Sequence, residues 1–168
     1  MSESIAPRAS TLPIQAIANR LVRGLLRTPL VCRAIGGRLI TVYVTGRKTG
    51  RRYSIPIAYT RDGEHLLSGS PFAWGRNLRS DEPIAIRLKG KLRQADVEVF
   101  SDEDGVVRLY EHMCRDNRVF ANFNKITLDD AGNPRAADLH AAWAAGARAF
   151  RFTPRASTPA SERPPSTA

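Results

Sequence analysis

The chain has 168 residues, 42% hydrophobic and 25% charged, enough for one globular domain with a real core. Its 26 Lys and Arg against 16 Asp and Glu leave a net charge of +10, which favours an anionic partner: a phosphorylated or polycarboxylate cofactor, nucleic acid, or an anionic membrane surface. Cys32 and Cys114 lie in different segments, which excludes a cysteine framework and a cysteine-based metal site, and no apolar run approaches the roughly 18 residues of a membrane span. The N-terminus lacks the apolar core and small-residue cleavage site of a secretory signal, so the expected location is the cytoplasm.

Residues 1–11 are polar and form a flexible N-terminus. From Leu12, the apolar residues Ile14, Ile17, Ala18, Leu21, Val22, Leu25 and Leu26 recur at helical spacing, with Asn19, Arg20, Arg23 and Arg27 largely opposite. Thr28-Pro29 breaks this helix or starts a short second one, and Gly36-Gly37 ends it. Such a basic amphipathic helix packs on the domain, touches a membrane surface, or closes over a hydrophobic substrate.

Arg38–Thr45 and Tyr53–Thr60 read as strands from their β-branched and aromatic content. Pro56 puts the second at an edge or a bulge. Arg61-Asp62-Gly63-Glu64 predicts a tight turn, with His65–Ser68 pairing back and Ser68-Gly69-Ser70-Pro71 leaving the strand. Ala73–Ser80 predicts a short helix, and Asp81-Glu82-Pro83 stops it. Ile84–Leu88 and Leu92–Phe100 are strands around a Lys89-Gly90-Lys91 turn, with Ala95, Val97 and Val99 on one face.

Ser101–Asp104 suits the start of a helix over Gly105–Arg115, with Val106, Leu109, Tyr110 and Met113 on one side. Residues 118–133 read as an irregular insertion or lid. Pro134–Gly146 is helical, with Leu139 and Trp143 inward, and Arg148–Thr153 is a closing strand with Phe150 and Phe152 on one face. Proline, serine, threonine and alanine then dominate, and 155–168 reads as a disordered tail. With no βαβ rhythm, the pattern gives a mainly β fold with helices (α+β), a split β-barrel of about six antiparallel strands over residues 12–154.

Chemistry-bearing motifs are few. His65, His112 and His140 are far apart and have no ligand partner at metal spacing. No nucleophile elbow, C-x-x-C or P-loop is present: in Thr45–Gly50 the lysine precedes the second glycine and no helix follows. The informative stretch is TGRKTGRRYSIPIAY, Thr45 to Tyr59. It places Arg47, Lys48, Arg51 and Arg52 around Gly46 and Gly50 in the turn of a hairpin. Backbone N–H groups in such a turn, with Thr45 and Thr49 hydroxyls and the cations beside them, form a nest for an anion, most naturally a phosphate. The bland alternative is a solvated basic turn. Ser68, Gly69 and Ser70, at a strand end, offer hydroxyls and backbone donors to ring carbonyls. Trp74 supplies an aromatic face or packs in the core. Arg76 and Asn77 are polar groups nearby, with Asn77 bracing the helix.

TGRKTGRRYSIPIAYTRDG, followed by Trp74, Asn77 and Leu78, resembles the deazaflavin (coenzyme F420)-dependent nitroreductase family, over about Ile40 to Val99. The resemblance implies a small split β-barrel, related in fold to FMN-binding pyridoxamine-phosphate oxidases. It implies that Thr45, Gly46, Arg47, Lys48, Thr49 and Gly50, with Arg51 and Arg52, meet the coenzyme's phosphate and acidic tail. It further implies that Ser68, Gly69 and Ser70 meet the deazaflavin ring, with Trp74 and Asn77 completing the site. The loop between Gly69 and Trp74 is shorter than in many members, and the region after Phe100 is longer.

The function expected from this is hydride transfer from reduced coenzyme F420 to a quinone, nitro compound or other conjugated acceptor. Tyr43, Tyr53, Tyr59 and Ser70 are the candidate proton donors, and no catalytic residue is singled out. The alternatives are an FMN-dependent reductase on the same fold and a cofactor carrier without turnover. The partner is a small-molecule substrate. Nucleic acid is not expected, because no recognition motif accompanies the charge. Peripheral membrane contact would run through the N-terminal helix, and a homodimer is the habit of the fold.

Overall fold

The computed structural model describes residues 38–156. The N-terminal amphipathic helix and residues 157–168 of the tail lie outside the described residues.

Seven strands form one antiparallel sheet: β1 (Leu39–Thr45), β2 (Arg52–Ala58), β3 (Thr60–Asp62), β4 (His65–Ser70), β5 (Ile84–Leu88), β6 (Lys91–Phe100) and β7 (Arg148–Pro154). Their order across the sheet is β2-β1-β5-β6-β7-β4-β3. The two edge strands, β2 and β3, are consecutive in the chain and separated only by Tyr59. One bent segment therefore pairs with β1 through its first half and with β4 through its second. The sheet must curl for both to hold, and it closes as a split barrel of six strand segments. Tyr59 marks the bend, its N–H donating to the Arg38 carbonyl at 3.0 Å. Ser68 Oγ closes the seam by donating to the Ala58 carbonyl at 2.9 Å. Pro56 lies in the edge strand β2, opposite Thr41, where its missing N–H leaves no gap in a central ladder.

Strand alternation divides the apolar residues between two cores. Ile40, Val42 and Val44 of β1, Ile86, Ala95, Val97, Phe150 and Phe152 fill the barrel interior with Leu66, Tyr59 and Leu78. The opposite face of β4 and β7, through Leu67 and Ala149, is covered by helices. Helix α1 (Glu103–Asp116) is capped by Asp102, whose carboxylate accepts the Gly105 N–H at 2.8 Å. It turns Val106, Leu109, Tyr110 and Met113 inward, as its spacing predicts. Helix α3 (Ala136–Ala144) buries Leu139, and Trp143 Nε1 donates to the Ser101 carbonyl.

Four sequence expectations change. Strand β4 runs through Ser70, paired to β7 as far as Ser70 opposite Arg148, because the small side chains of 68–70 admit close packing from both faces. The helix expected over Ala73–Ser80 is a five-residue 3-10 turn, Ala73–Asn77. Residues 118–133, read as irregular, contain helix α2 (Arg118–Phe123). Its start is set by Asn117, whose Oδ1 accepts the Val119 and Phe120 N–H groups, and Phe120, Ala121 and Ile126 join the outer core. Arg155, placed in the tail by composition, is tied to β6: its N–H donates to the Gln94 carbonyl and its guanidinium pairs with Asp96.

Candidate functional site

The β1–β2 hairpin delivers the basic turn as its sequence predicts, with Thr45 opposite Arg52. Within it, Gly46 N–H donates to Arg51 O and Gly50 N–H to Gly46 O, both at 2.8 Å. Gly50 holds φ +64, a left-handed value that favours glycine. A Cβ on Gly46 would stand 2.9 Å from both Thr49 Oγ1 and a ring carbon of Tyr53, so the turn closes tightly there. The Gly50-to-Gly46 bond closes one helical turn over Arg47, Lys48 and Thr49, and the first N–H groups of such a turn have no acceptor within it. Arg47 N–H is taken by Asn77 Oδ1 at 3.2 Å. Those of Lys48 and Thr49 have no partner among the described residues.

Asn77 is the connector. Its Oδ1 accepts from the turn, and its Nδ2 donates to the Trp74 carbonyl at 3.1 Å. Arg47 adds a second tie, its guanidinium reaching the Arg76 carbonyl at 3.4 Å. The 3-10 turn thus holds the hairpin turn from behind and plugs the barrel end beside it. Its Gly75 is buried against Phe150, where a Cβ would lie 2.5 Å from the ring, and Trp74 packs on Phe150 with ring centroids 5.4 Å apart.

The cations differ in how far they are committed. Arg47 is held by Arg76, and Arg52 lies over the Tyr43 ring at 5.2 Å. Lys48 and Arg51 are exposed and make no ion pair among the described residues. Thr49 Oγ1 accepts the Arg51 N–H at 3.4 Å, and Thr45 is exposed.

Ser68, Gly69 and Ser70 stand otherwise. Ser68 and Ser70 are 2% and 4% exposed. The Ser68 hydroxyl donates to Ala58 O, and the Ser70 hydroxyl accepts the Phe72 N–H at 3.1 Å. Gly69 lies under Tyr110 and Phe120, where a Cβ would meet ring carbons at 2.6 Å and 2.9 Å. The Ser70 O–H has no acceptor among the described residues, so a spare donor stands here as well as in the turn.

Four other reactive groups among the described residues are buried or hold partners. Burial pushes the Cys114 thiol up to about 12, so it is no nucleophile near neutral pH. Burial raises the Tyr110 phenol well above its ordinary value. His65 bonds Thr153 Oγ1 at 2.9 Å, and His140 bonds Glu103 at 2.6 Å. Among the described residues no cluster of His, Cys, Asp and Glu could hold a metal, and no helix is long and apolar enough to cross a membrane.

Sequence reasoning missed the surface of α2. Phe72 and Phe123 form an exposed edge-to-face pair, with centroids 6.1 Å apart. An open cleft of about 510 Å³ is lined by Arg118 and Asn122 of α2 with Lys125, Ile126, Thr127 and Leu128. The signal that could have found α2 was Asn117, a good N-cap residue ahead of the apolar pairs Val119-Phe120 and Ala121-Phe123.

No family model matches the chain, and no curated protein matches it. Among solved structures, a protein of unknown function from Agrobacterium tumefaciens is similar at TM-score 0.44 and 14% identity, covering 93% of this chain; this chain covers only 60% of that one. A pyridoxamine 5'-phosphate oxidase-related, FMN-binding protein from Nostoc punctiforme is similar at TM-score 0.46 and 14% identity, over 90% of this chain and 82% of that one. An F420 reductase is similar at TM-score 0.40 and 16% identity, over 74% of this chain and 93% of that one. Likenesses this remote carry no argument about the site, and the split barrel stands on its own closed strand order.

Proposed function

We propose that the chain is an oxidoreductase that binds a phosphorylated flavin-type nucleotide with its phosphate on the 45–52 turn. Coenzyme F420 is the first reading, on the TGRKTG motif, and FMN is the alternative on the same fold. The observation that carries the reading is the spare donor set: the Lys48 and Thr49 N–H groups, side by side and without partners among the described residues, beside the uncommitted Lys48 and Arg51 side chains. A phosphate satisfies several such donors at once, and the cations strengthen each bond.

In this reading Thr45, Gly46, Arg47, Lys48, Thr49, Gly50, Arg51 and Arg52 form the phosphate end. Asn77 and Arg47 keep that end rigid by tying it to the 3-10 turn. Ser68, Gly69 and Ser70 set the floor by closing the barrel, and Trp74 fixes the plug on Phe150. Tyr53, whose ring lies against Gly46, is the candidate proton donor closest to the glycine of the turn, while the Tyr43 ring carries Arg52. Tyr43 instead accepts from Arg87 at 3.1 Å, and Tyr59 is buried at the bend. When bound in reduced form, the coenzyme supplies a hydride, and a conjugated acceptor takes up that hydride and a proton. The partner is then a small molecule.

The test is a single-turnover experiment. Purified protein is mixed with reduced coenzyme F420 and a quinone or nitroaromatic, and coenzyme oxidation is followed by absorbance. Protein-dependent oxidation supports the reading. Tight binding without oxidation would leave a carrier, and oxidation only with reduced FMN would transfer the function to the alternative cofactor.

A further inference from the structure

Helix α2 has an exposed face divided lengthwise. At 100° per residue, Arg118 and Asn122 share one stripe and Val119 and Phe123 the next, while Phe120 and Ala121 turn inward. All four outward residues are exposed. The apolar stripe continues onto Phe72. Val119, Phe72 and Phe123 are 38%, 40% and 47% exposed, and they are three of the five exposed large apolar side chains among the described residues. The polar stripe continues onto Lys125, across the cleft of about 510 Å³. Arg118 and Lys125 make no ion pair among the described residues. The side chain of Asn122 makes no hydrogen bond there.

Lys125 is also the residue that ends α2. Its N–H donates to Asn122 O and the next one, of Ile126, to Ala121 O, the pattern that calls for a left-handed residue and usually takes glycine. Lys125 adopts it at φ +58, and so its side chain stands at the cleft.

The patch adjoins the proposed cofactor end. Phe72 is the residue that starts the 3-10 turn, and Asn77 ends it on the phosphate-binding hairpin. Five residues at 3-10 rise span about 10 Å. We propose that Phe72, Val119 and Phe123 seat the acceptor, and that this acceptor is a planar aromatic molecule carrying an acidic group, its ring on Phe123 and its carboxylate toward Arg118 and Lys125. The acceptor role rests on the function proposed above; the charge preference rests on α2 alone.

The probes are p-nitrobenzoate and its neutral analogue p-nitrobenzyl alcohol, titrated into the full chain without coenzyme and followed by ligand-observed NMR. The carboxylate is expected to bind about fivefold more tightly at low salt, the size two exposed cations give together, and to lose that advantage at high salt. Arg118→Gln with Lys125→Gln should erase the preference, and Phe123→Ser should weaken both probes. Phe123 is exposed, so the variant keeps its fold, which circular dichroism checks. Equal binding of the two probes, or an unchanged titration in Phe123→Ser, overturns the proposal. Because no coenzyme is present, that failure is separate from failure of the chain to bind F420 or FMN.

Discussion

The hairpin turn at 45–52 and the strand segment at 68–70 carry similar residue types, small and hydroxylated with glycine among them, and both resemble a cofactor site in sequence. They differ in where their polar groups go. The turn satisfies its own closure with two backbone bonds and leaves the Lys48 and Thr49 N–H groups over. In the strand segment the Ser68 hydroxyl donates across the barrel seam, and the Ser70 hydroxyl accepts from the following loop, with its own proton left over. Residue type therefore proposes a contact, and hydrogen-bond accounting decides whether the contact is available.

Exchanging roles between the two regions is the way to break this contrast. Lys48→Ala with Arg51→Ala should lower coenzyme affinity about a hundredfold, since each charge-assisted bond contributes about 1.5–3 kcal/mol, and should leave the melting temperature nearly unchanged. Gly69→Ala should do the reverse. Its methyl group would press on Tyr110 and Phe120, costing about 1–3 kcal/mol of stability in denaturant titration, with the turn intact. Ser68→Ala should cost about 1 kcal/mol by freeing the Ala58 carbonyl, again with little change in affinity. If Ser68→Ala abolished binding at unchanged stability, the serine would be a ligand contact and the contrast would fall.

The smallest effect is electrostatic and far from both regions. Hydrogen bonds from Thr127, its backbone N–H first, hold the Asp138 carboxyl below its ordinary value of 3.8. A carboxylate lowered in the folded state stabilises above its unfolded pKa, and that contribution is lost as pH falls through the folded value. Asp138→Asn should therefore narrow its melting-temperature gap from the parent chain as pH drops from about 5 towards 2.

The sequence made the barrel legible where alternation was clean. The β1–β2 hairpin, the edge position of Pro56 and the inward Phe150 and Phe152 follow from period-two patterning and from proline's missing donor. Closure was harder to read, because it depends on Tyr59 bending one segment so that its halves pair with different strands, a long-range fact with no local signature. The cationic turn was legible as a tight hairpin turn, and its composition alone motivates the anion site proposed above. The brace behind it was half legible: Asn77 was expected to steady its own helix, and it also reaches thirty residues back to Arg47. Helix α2 was missed because it is only six residues long, too short for periodicity to outweigh its mixed composition.

The most direct test of the account is a fluorescence titration of the purified chain with oxidised coenzyme F420 and, in parallel, FMN, repeated on the Lys48→Ala, Arg51→Ala variant. Saturable binding by the parent chain is expected, weakening as salt rises, with an affinity lower by about two orders of magnitude in the variant. Binding of equal strength in parent and variant, or no binding of either nucleotide by the parent, would contradict it.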